Sequence, residues 1–330
     1  VSSSPSRASD LAASVDLDQP IDALNDALQP LEQAYVEEFS APTEPVLFIV
    51  GAPRSGTTLL SQLLIAKYRI GYVSNLVSRF WKAPYLGLLI MQDVREADQL
   101  LNVNFSSEHG FTSGYEGPHE FGYFWRRWFD YQDSHHVAPD RLSDVDADAL
   151  RRECAAMQSV QGGPFLFKNL VCSFQVGFLA RTLPNAVFIH CRRTPIFVAQ
   201  SLLKCRDRRC DRREDWFSVK PKAYPELRSL PYPDQIAGQI YHTRRHVEDA
   251  FADLDDGRYA RVDYEALVDA PQAVLDQIAG AVEQQGGTMR ERSGFSVPDL
   301  QSTNSQRVPD DEFECLQSSC RQFFSTNPSV

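Results

Sequence analysis

No apolar run in these 330 residues reaches the 18 or more that a membrane span requires. No charged-then-apolar targeting segment stands at the start either. Disulfide architecture is equally absent. The seven cysteines are odd in number and follow no framework spacing, a pattern that fits a reducing cytoplasm. Two C-x4-C pairs, Cys205/Cys210 and Cys315/Cys320, have no His or Cys at ligand spacing beside them, so no metal site is expected. Basic residues are the minority: 33 Lys and Arg face 44 Asp and Glu, a net charge of −11. That balance argues against a general binder of nucleic acid or of anionic membranes.

The scarce positive charge is unevenly placed. Residues 192–213, "RRTPIFVAQSLLKCRDRRCDRR", hold eight basic and two acidic side chains, which leaves −17 for the rest of the chain. A positive island in an acidic protein points to a small polyanionic ligand. For "RDRRCDRR" alone, a solvated basic loop is the plainer reading.

Residues 1–19 are rich in Ser, Ala and Asp, the composition of a mobile segment. "PIDALNDALQPLEQAYVEEF" (20–39) reads as a lead-in helix interrupted at Pro30. Residues 1–45 are thus set apart from one domain over 46–330. Within it, "VLFIV" from Val46 is a buried strand, and Leu59, Leu60, Leu63 and Leu64 stripe a helix after it. "PFLFK" (164–168) and "AVFIHC" (186–191) are further strands, with helices over 173–183 and 195–204 following them. Thr194 is placed as the N-cap of the second helix and Pro195 as its first residue. "YARVDY" (259–264) is a fourth strand before a helix over 271–284. Strands alternating with helices give an α/β fold, a central parallel sheet flanked by helices. Ligands in such sheets bind beyond the carboxyl ends of the strands.

At one of those ends stands "GAPRSGTTLL" (51–60). It lacks the lysine of the kinase pattern G-x-x-x-x-G-K-[ST]; Thr57 holds that slot. Gly51 and Gly56 free the backbone so that successive N–H groups can turn onto an anion. The helix opening at Thr57 adds unpaired N–H groups and the positive end of its dipole. Arg54 offers a planar fork of donors to a phosphate or sulfate, and Ser55, Thr57 and Thr58 add hydroxyls. A second strand end carries "FIHCRRTPIFVAQSLL" (188–203).

On these two stretches the chain resembles the P-loop-like sulfotransferase family that uses 3′-phosphoadenosine 5′-phosphosulfate (PAPS). "PRSGTT" is similar to the family's 5′-phosphosulfate loop, which assigns Arg54, Ser55, Gly56, Thr57 and Thr58 to the donor. Arg193, Pro195 and Ser201 match the spacing of its 3′-phosphate motif, with Arg192 an extra basic neighbour. "VDYEALVDAP" (262–271) resembles the Tyr-Glu-x-Leu segment of many members, and the likeness runs over roughly 46–285 in element order. The resemblance implies transfer of a sulfuryl group from PAPS to a hydroxyl of a small-molecule, sugar or lipid acceptor. The donor leaves as the 3′,5′-bisphosphate, and no metal-bound triphosphate calls for a Walker lysine. A P-loop small-molecule kinase and a non-catalytic PAPS or bisphosphate binder are the alternatives.

Sulfuryl transfer requires positioning, positive charge at the bridging oxygen and a base for the acceptor proton. Arg54 can serve the sulfuryl oxygens. Lys168 ends a strand and matches a lysine that many family members place at the active centre. The base departs from the family: "KNL" (168–170) offers no histidine, and Asn75 stands where other branches carry a glutamate. The remaining acid/base cluster is "YEGPHEFGYFWRRWF" (115–129), which reads as a helix start. Its candidates for the proton are Glu120 and His119. Glu116 and Glu120 as mere complements to a helix N-terminus is the competing reading. Of the aromatics from Phe121 to Tyr131, some must be core and the rest are candidates to wall an acceptor pocket. Residues 205–235 read as a long loop placed to cover the site.

Overall fold

The computed structural model describes residues 18–98, 107–108, 111–112, 114–255 and 257–325. The expected mobile segment falls outside them except for its last two residues. Seven strands are present among the described residues: β1 (Val46–Gly51), β2 (Gly71–Tyr72), β3 (Ser107–Glu108), β4 (Phe111–Thr112), β5 (Phe165–Lys168), β6 (Val187–Arg192) and β7 (Tyr259–Asp263). Five form one sheet in the order β2-β5-β1-β6-β7, every pair parallel. β3 and β4 make a separate antiparallel hairpin. The four expected strands are all in the sheet. β2 is two residues long, too short to leave a period in the sequence.

β1 lies at the centre and is buried along its whole length. Its side chains alternate between two cores, as a strand covered on both faces requires. Val46, Phe48 and Val50 join one face with Phe167, Phe188 and Trp125. Leu47 and Ile49 join the other with Leu60, Leu63, Leu275 and Ile278. Each such fully buried side chain stabilises the fold by about 1.5–3 kcal/mol. The stripe 59/60/63/64 therefore does what its spacing predicts: the helix Thr57–Lys67 presses it onto the sheet.

The lead-in helix differs from expectation. It runs unbroken from Asp18 to Val36 with Pro30 inside it. Proline removes one i→i−4 hydrogen bond, and tertiary contacts hold the segment regardless. The Asn25 amide donates to Arg79 O at 2.8 Å and its Oδ1 accepts from Lys82 N–H at 2.9 Å. The Glu32 carboxylate accepts the N–H groups of Tyr85 and Leu86 at 2.8 and 3.1 Å, in the first turn of the helix Pro84–Asp98. The region 205–235 is also less loop than expected. A helix continues to Arg209, another starts at Tyr232, and a short turn of helix occupies Tyr224–Leu227. The irregular stretch shrinks to about 210–223.

Candidate functional site

The carboxyl ends of β1, β5 and β6 open onto one cavity of about 770 Å³. The loop leaving β1 shapes its floor. Gly51 has φ 136, and a Cβ there would stand 2.5 Å from the Cys191 carbonyl oxygen on β6, so only glycine permits so close a strand pair. The Gly51 N–H donates to the buried Ser173 hydroxyl at 2.9 Å, which pins the start of the loop. Arg54 adopts φ 69, a left-handed conformation uncommon for a side-chain-bearing residue. Gly56 follows at φ 100, and its missing Cβ makes room for the Tyr264 ring, 2.8 Å from where that carbon would lie. No side chain caps the helix that starts at Thr57. Its first N–H groups and dipole therefore face the cavity uncapped, the arrangement that binds an anion.

The second basic element closes on the first. Arg54 Nε donates to Ser201 Oγ at 3.0 Å, from β1's loop to the helix Pro195–Arg209. Arg193 is buried and reaches Arg54 O at 3.3 Å, Thr303 Oγ1 at 3.0 Å and Asn304 Oδ1 at 2.7 Å. Its guanidinium stands 4.4 Å from the Tyr264 ring centroid, a cation–π contact. Burial is the largest influence on Arg193 and draws it below the usual guanidinium range; Arg54 and Arg307 act in the same direction. Cations thus crowd this end of the cavity, which favours an anion there.

Thr194 stands at the N-cap position as predicted but does not cap. Its hydroxyl donates to Glu265 Oε1 at 2.7 Å, and its N–H goes to the same oxygen at 3.0 Å. Burial alone would lift the Glu265 carboxyl; the Thr194 donors and the Asn304 amide outweigh it and hold it below the usual range. Tyr264 and Glu265 therefore brace the arginine element. Thr303 and Asn304 belong to a segment in which sequence reasoning found no signal.

At the other side of the cavity, Lys168 at the end of β5 donates to the Glu120 carboxylate. Lys168 is 6% exposed and Glu120 44%. Asn169 fixes the approach by donating its amide to Glu120 O at 2.7 Å while its Oδ1 accepts from Val171 N–H at 2.8 Å. The helix near the acid/base cluster begins only at Gly122, with Phe121 left-handed ahead of it. Glu116 and Glu120 precede its first turn, so neither complements that helix as the competing reading had it.

Of the candidate residues, Arg54, Gly56, Thr57, Thr58, Arg193, Ser201, Glu120 and Lys168 line the cavity together. Two candidates stand back from it. The Ser55 hydroxyl is buried and donates to Ala52 O at 2.7 Å, inside the loop. His119 Nδ1 accepts the Phe121 N–H at 2.9 Å, which leaves the ring proton on Nε2. Burial, the largest influence on it, holds that imidazole below its ordinary pKa of 6.5. Asn75 is structural in its contacts, donating to the carbonyl oxygens of Thr112 and Gly114 at 3.1 and 2.7 Å.

None of the aromatics between Phe121 and Tyr131 walls the cavity. Phe121, Phe124, Trp125 and Phe129 are buried in the core, Trp125 lying 5.1 Å from Phe167. The aromatic walls are Phe197, Phe217 and Tyr264 instead.

A family model described as the sulfotransferase family matches residues 45–284. The chain belongs to that family. It is 25% identical over 255 residues to omega-hydroxy-beta-dihydromenaquinone-9 sulfotransferase Stf3 of Mycobacterium bovis and equally to that of Mycobacterium tuberculosis. The match covers 71% of this chain and 62% of those relatives, so the chain spans less than two thirds of their length. The solved structure of sulfotransferase STF1 from Mycobacterium tuberculosis H37Rv aligns at a TM-score of 0.50 and 15% identity. That alignment covers 92% of this chain and 81% of STF1, a likeness of fold. Sulfotransferase STF9 from Mycobacterium avium aligns at a TM-score of 0.49 and 17% identity, over 94% and 73% of the two chains. In this sulfotransferase-family chain, the arginine loops and the Lys168–Glu120 pair occupy one cavity at the strand ends. Among the described residues, no helix is long and apolar enough to cross a membrane.

Proposed function

We propose that this chain is a sulfotransferase that takes its sulfuryl group from PAPS and delivers it to an alcohol. The observation that carries the reading is the single cavity that joins an anion-binding end to an acid/base end. The donor set fits PAPS. Arg54, the Gly56 turn and the N–H groups at Thr57 and Thr58 would hold the 5′-phosphosulfate. Arg193, braced by Thr303 and Asn304, and Ser201 would hold the 3′-phosphate. PAPS supplies the sulfuryl group and leaves as adenosine 3′,5′-bisphosphate.

This chain's residues then have separable tasks. Arg54 and the helix N-terminus spread positive charge over the oxygens of the group in transit, in a preorganised site. Glu120 receives the proton of the acceptor hydroxyl as its oxygen bonds to sulfur. Lys168, now paired with Glu120, keeps the carboxylate oriented and offers its ammonium to the leaving oxygen. His119 is the weaker base, because its Nδ1 lone pair is already taken by a backbone N–H. The curated relative is named for an acceptor with an omega-hydroxyl on a menaquinone; only the chemistry of an alcohol is carried over from it.

Calorimetry with adenosine 3′,5′-bisphosphate, adenosine 5′-phosphate and ATP tests the donor site. The bisphosphate should bind tightest, and tighter ATP binding would turn the reading to a kinase. Release of bisphosphate from PAPS should depend on an added alcohol. Binding with no alcohol-dependent release under any acceptor would mark a binding protein instead.

A further inference from the structure

The helix Pro195–Arg209 presents Ser201, Lys204 and Arg208 to the cavity, at i, i+3 and i+7 on one face. Ser201 is already joined to Arg54 and belongs to the phosphate loops. At about 1.5 Å per residue, Lys204 and Arg208 lie about 4.5 and about 10 Å farther along the helix axis. The wall beside them leads toward Lys168. Phe217 packs against the apolar cluster that this helix shares with its neighbours, and Val219, two residues on, packs against Leu170 and Phe174, in the turn just past Lys168. The two cations therefore line one cavity with the Lys168–Glu120 pair.

Charge is lopsided there. The donor's two anionic groups have Arg54, Arg193 and the helix N-terminus to answer them, with Arg307 close enough to Arg193 to act on it. Glu120 is the one carboxylate that lines the cavity among the described residues, and Lys168 already holds it. Lys204 faces a lining with no second carboxylate, and Arg208 continues the same wall one turn on. A half-buried lysine in such a wall is stabilised by an anion brought from outside.

We propose that the acceptor is an anionic alcohol, whose phosphate or carboxylate is held by Lys204 and Arg208 while its hydroxyl meets Glu120. Phe217 and Leu170 would flank the carbon chain between the hydroxyl and the anion. This inference rests on the donor reading and adds the acceptor's class to it.

The test uses the whole chain saturated with adenosine 3′,5′-bisphosphate. Three probes of equal chain length are titrated by calorimetry: an ω-hydroxyalkyl phosphate, an ω-hydroxy carboxylate and the uncharged diol. At least one anionic probe should bind about tenfold or more tighter than the diol, and either order between the two anions supports the proposal. Lys204→Gln should reduce that preference, and Lys204→Gln with Arg208→Gln should abolish it, while bisphosphate affinity stays within a few-fold. Equal binding of diol and anions overturns the proposal, as does a preference that survives the double substitution. A large loss of bisphosphate affinity in those variants assigns the two cations to the donor and overturns it too. Failure of the parent to bind bisphosphate at all is a distinct result, which removes the donor reading and this inference with it.

Discussion

The two ends of the cavity are built by different means. The proposed donor end is made from backbone: glycines at φ 136 and 100, a left-handed Arg54 and an uncapped helix start. The side chains there are joined to one another across loops, Arg54 to Ser201 and Arg193 to Arg54 O. The proposed acceptor end is made from side chains at a strand end and on a loop, an ion pair between residues 48 apart in sequence and an asparagine that positions it. Conserving the geometry of the first end needs particular residues at fixed spacing, whereas the second needs only that distant segments meet. Donor binding should therefore tolerate changes at the acceptor end, and the reverse should hold for the proton.

The largest effect is expected at the acceptor end. Glu120→Gln keeps size and shape and should lower turnover by roughly 10²–10⁴, the usual worth of a positioned base. Bisphosphate affinity should stay within a few-fold, and His119→Ala should cost much less turnover. If Glu120→Gln turns over like the parent, the division between the two ends fails. At the donor end, Arg193→Ala should remove charge-assisted contacts worth about 1.5–3 kcal/mol. The parent's preference for the bisphosphate over adenosine 5′-phosphate, read by calorimetry, should then shrink by roughly one to two orders of magnitude.

Two carboxylates, Glu248 partly buried and Glu32 buried, respond to pH in opposite senses. Beside β6 and β7, burial would raise Glu248, but His190 and Arg261 outweigh it and press it down to about 2. Its contribution is present above the ordinary carboxylate pKa and is lost only as pH falls toward 2. In the lead-in helix, burial lifts Glu32 from 4.5 to about 7, against two backbone N–H groups that oppose it. Between those values the folded chain keeps a proton that the unfolded chain has lost. Stability should therefore fall as pH rises from about 4.5 through about 7. Thermal unfolding should show a midpoint drifting down by roughly 5 °C across that window, and Glu32→Gln should flatten it. The smallest effect is expected from chelation. If arginines and N–H groups answer the donor's charge as proposed, EDTA should leave alcohol-dependent bisphosphate release nearly unchanged; loss restored by added metal would revive the kinase alternative.

The difference between the two ends also explains what the sequence made legible. Gly51, Arg54, Gly56, Arg193 and Ser201 are readable because a turning backbone and a helix start demand residue types in order. The sheet is readable because β1 alternates between two apolar cores. The Lys168–Glu120 pair is a meeting of a strand end and a loop, and no local spacing announces it; the contact comes from the fold. Dense aromatics after Phe121 signal burial without saying on which side, and they fill the core while Phe197 and Phe217 wall the cavity. Pro30 predicted a break that Asn25 and Glu32 overcome through contacts with residues more than 50 positions away. Thr303 and Asn304 lie in a stretch with no periodicity, so nothing in it foretold their hold on Arg193.

That hold reaches past the boundary at which the family likeness stops. The matched region ends at residue 284, yet Arg193's side-chain partners Thr303 and Asn304, and the ring hydroxyl contact between Tyr264 and Thr303 at 3.0 Å, lie across it. A fragment trimmed to the matched span would keep every residue by which the family is recognised, and the whole sheet. It would also leave Arg193's guanidinium with only Arg54 O and the Tyr264 ring, stripped of its partners Thr303 and Asn304. Recognisable ancestry and a complete binding site are thus different lengths of the same polypeptide, and a shortened version would pass for the enzyme on paper while missing one wall.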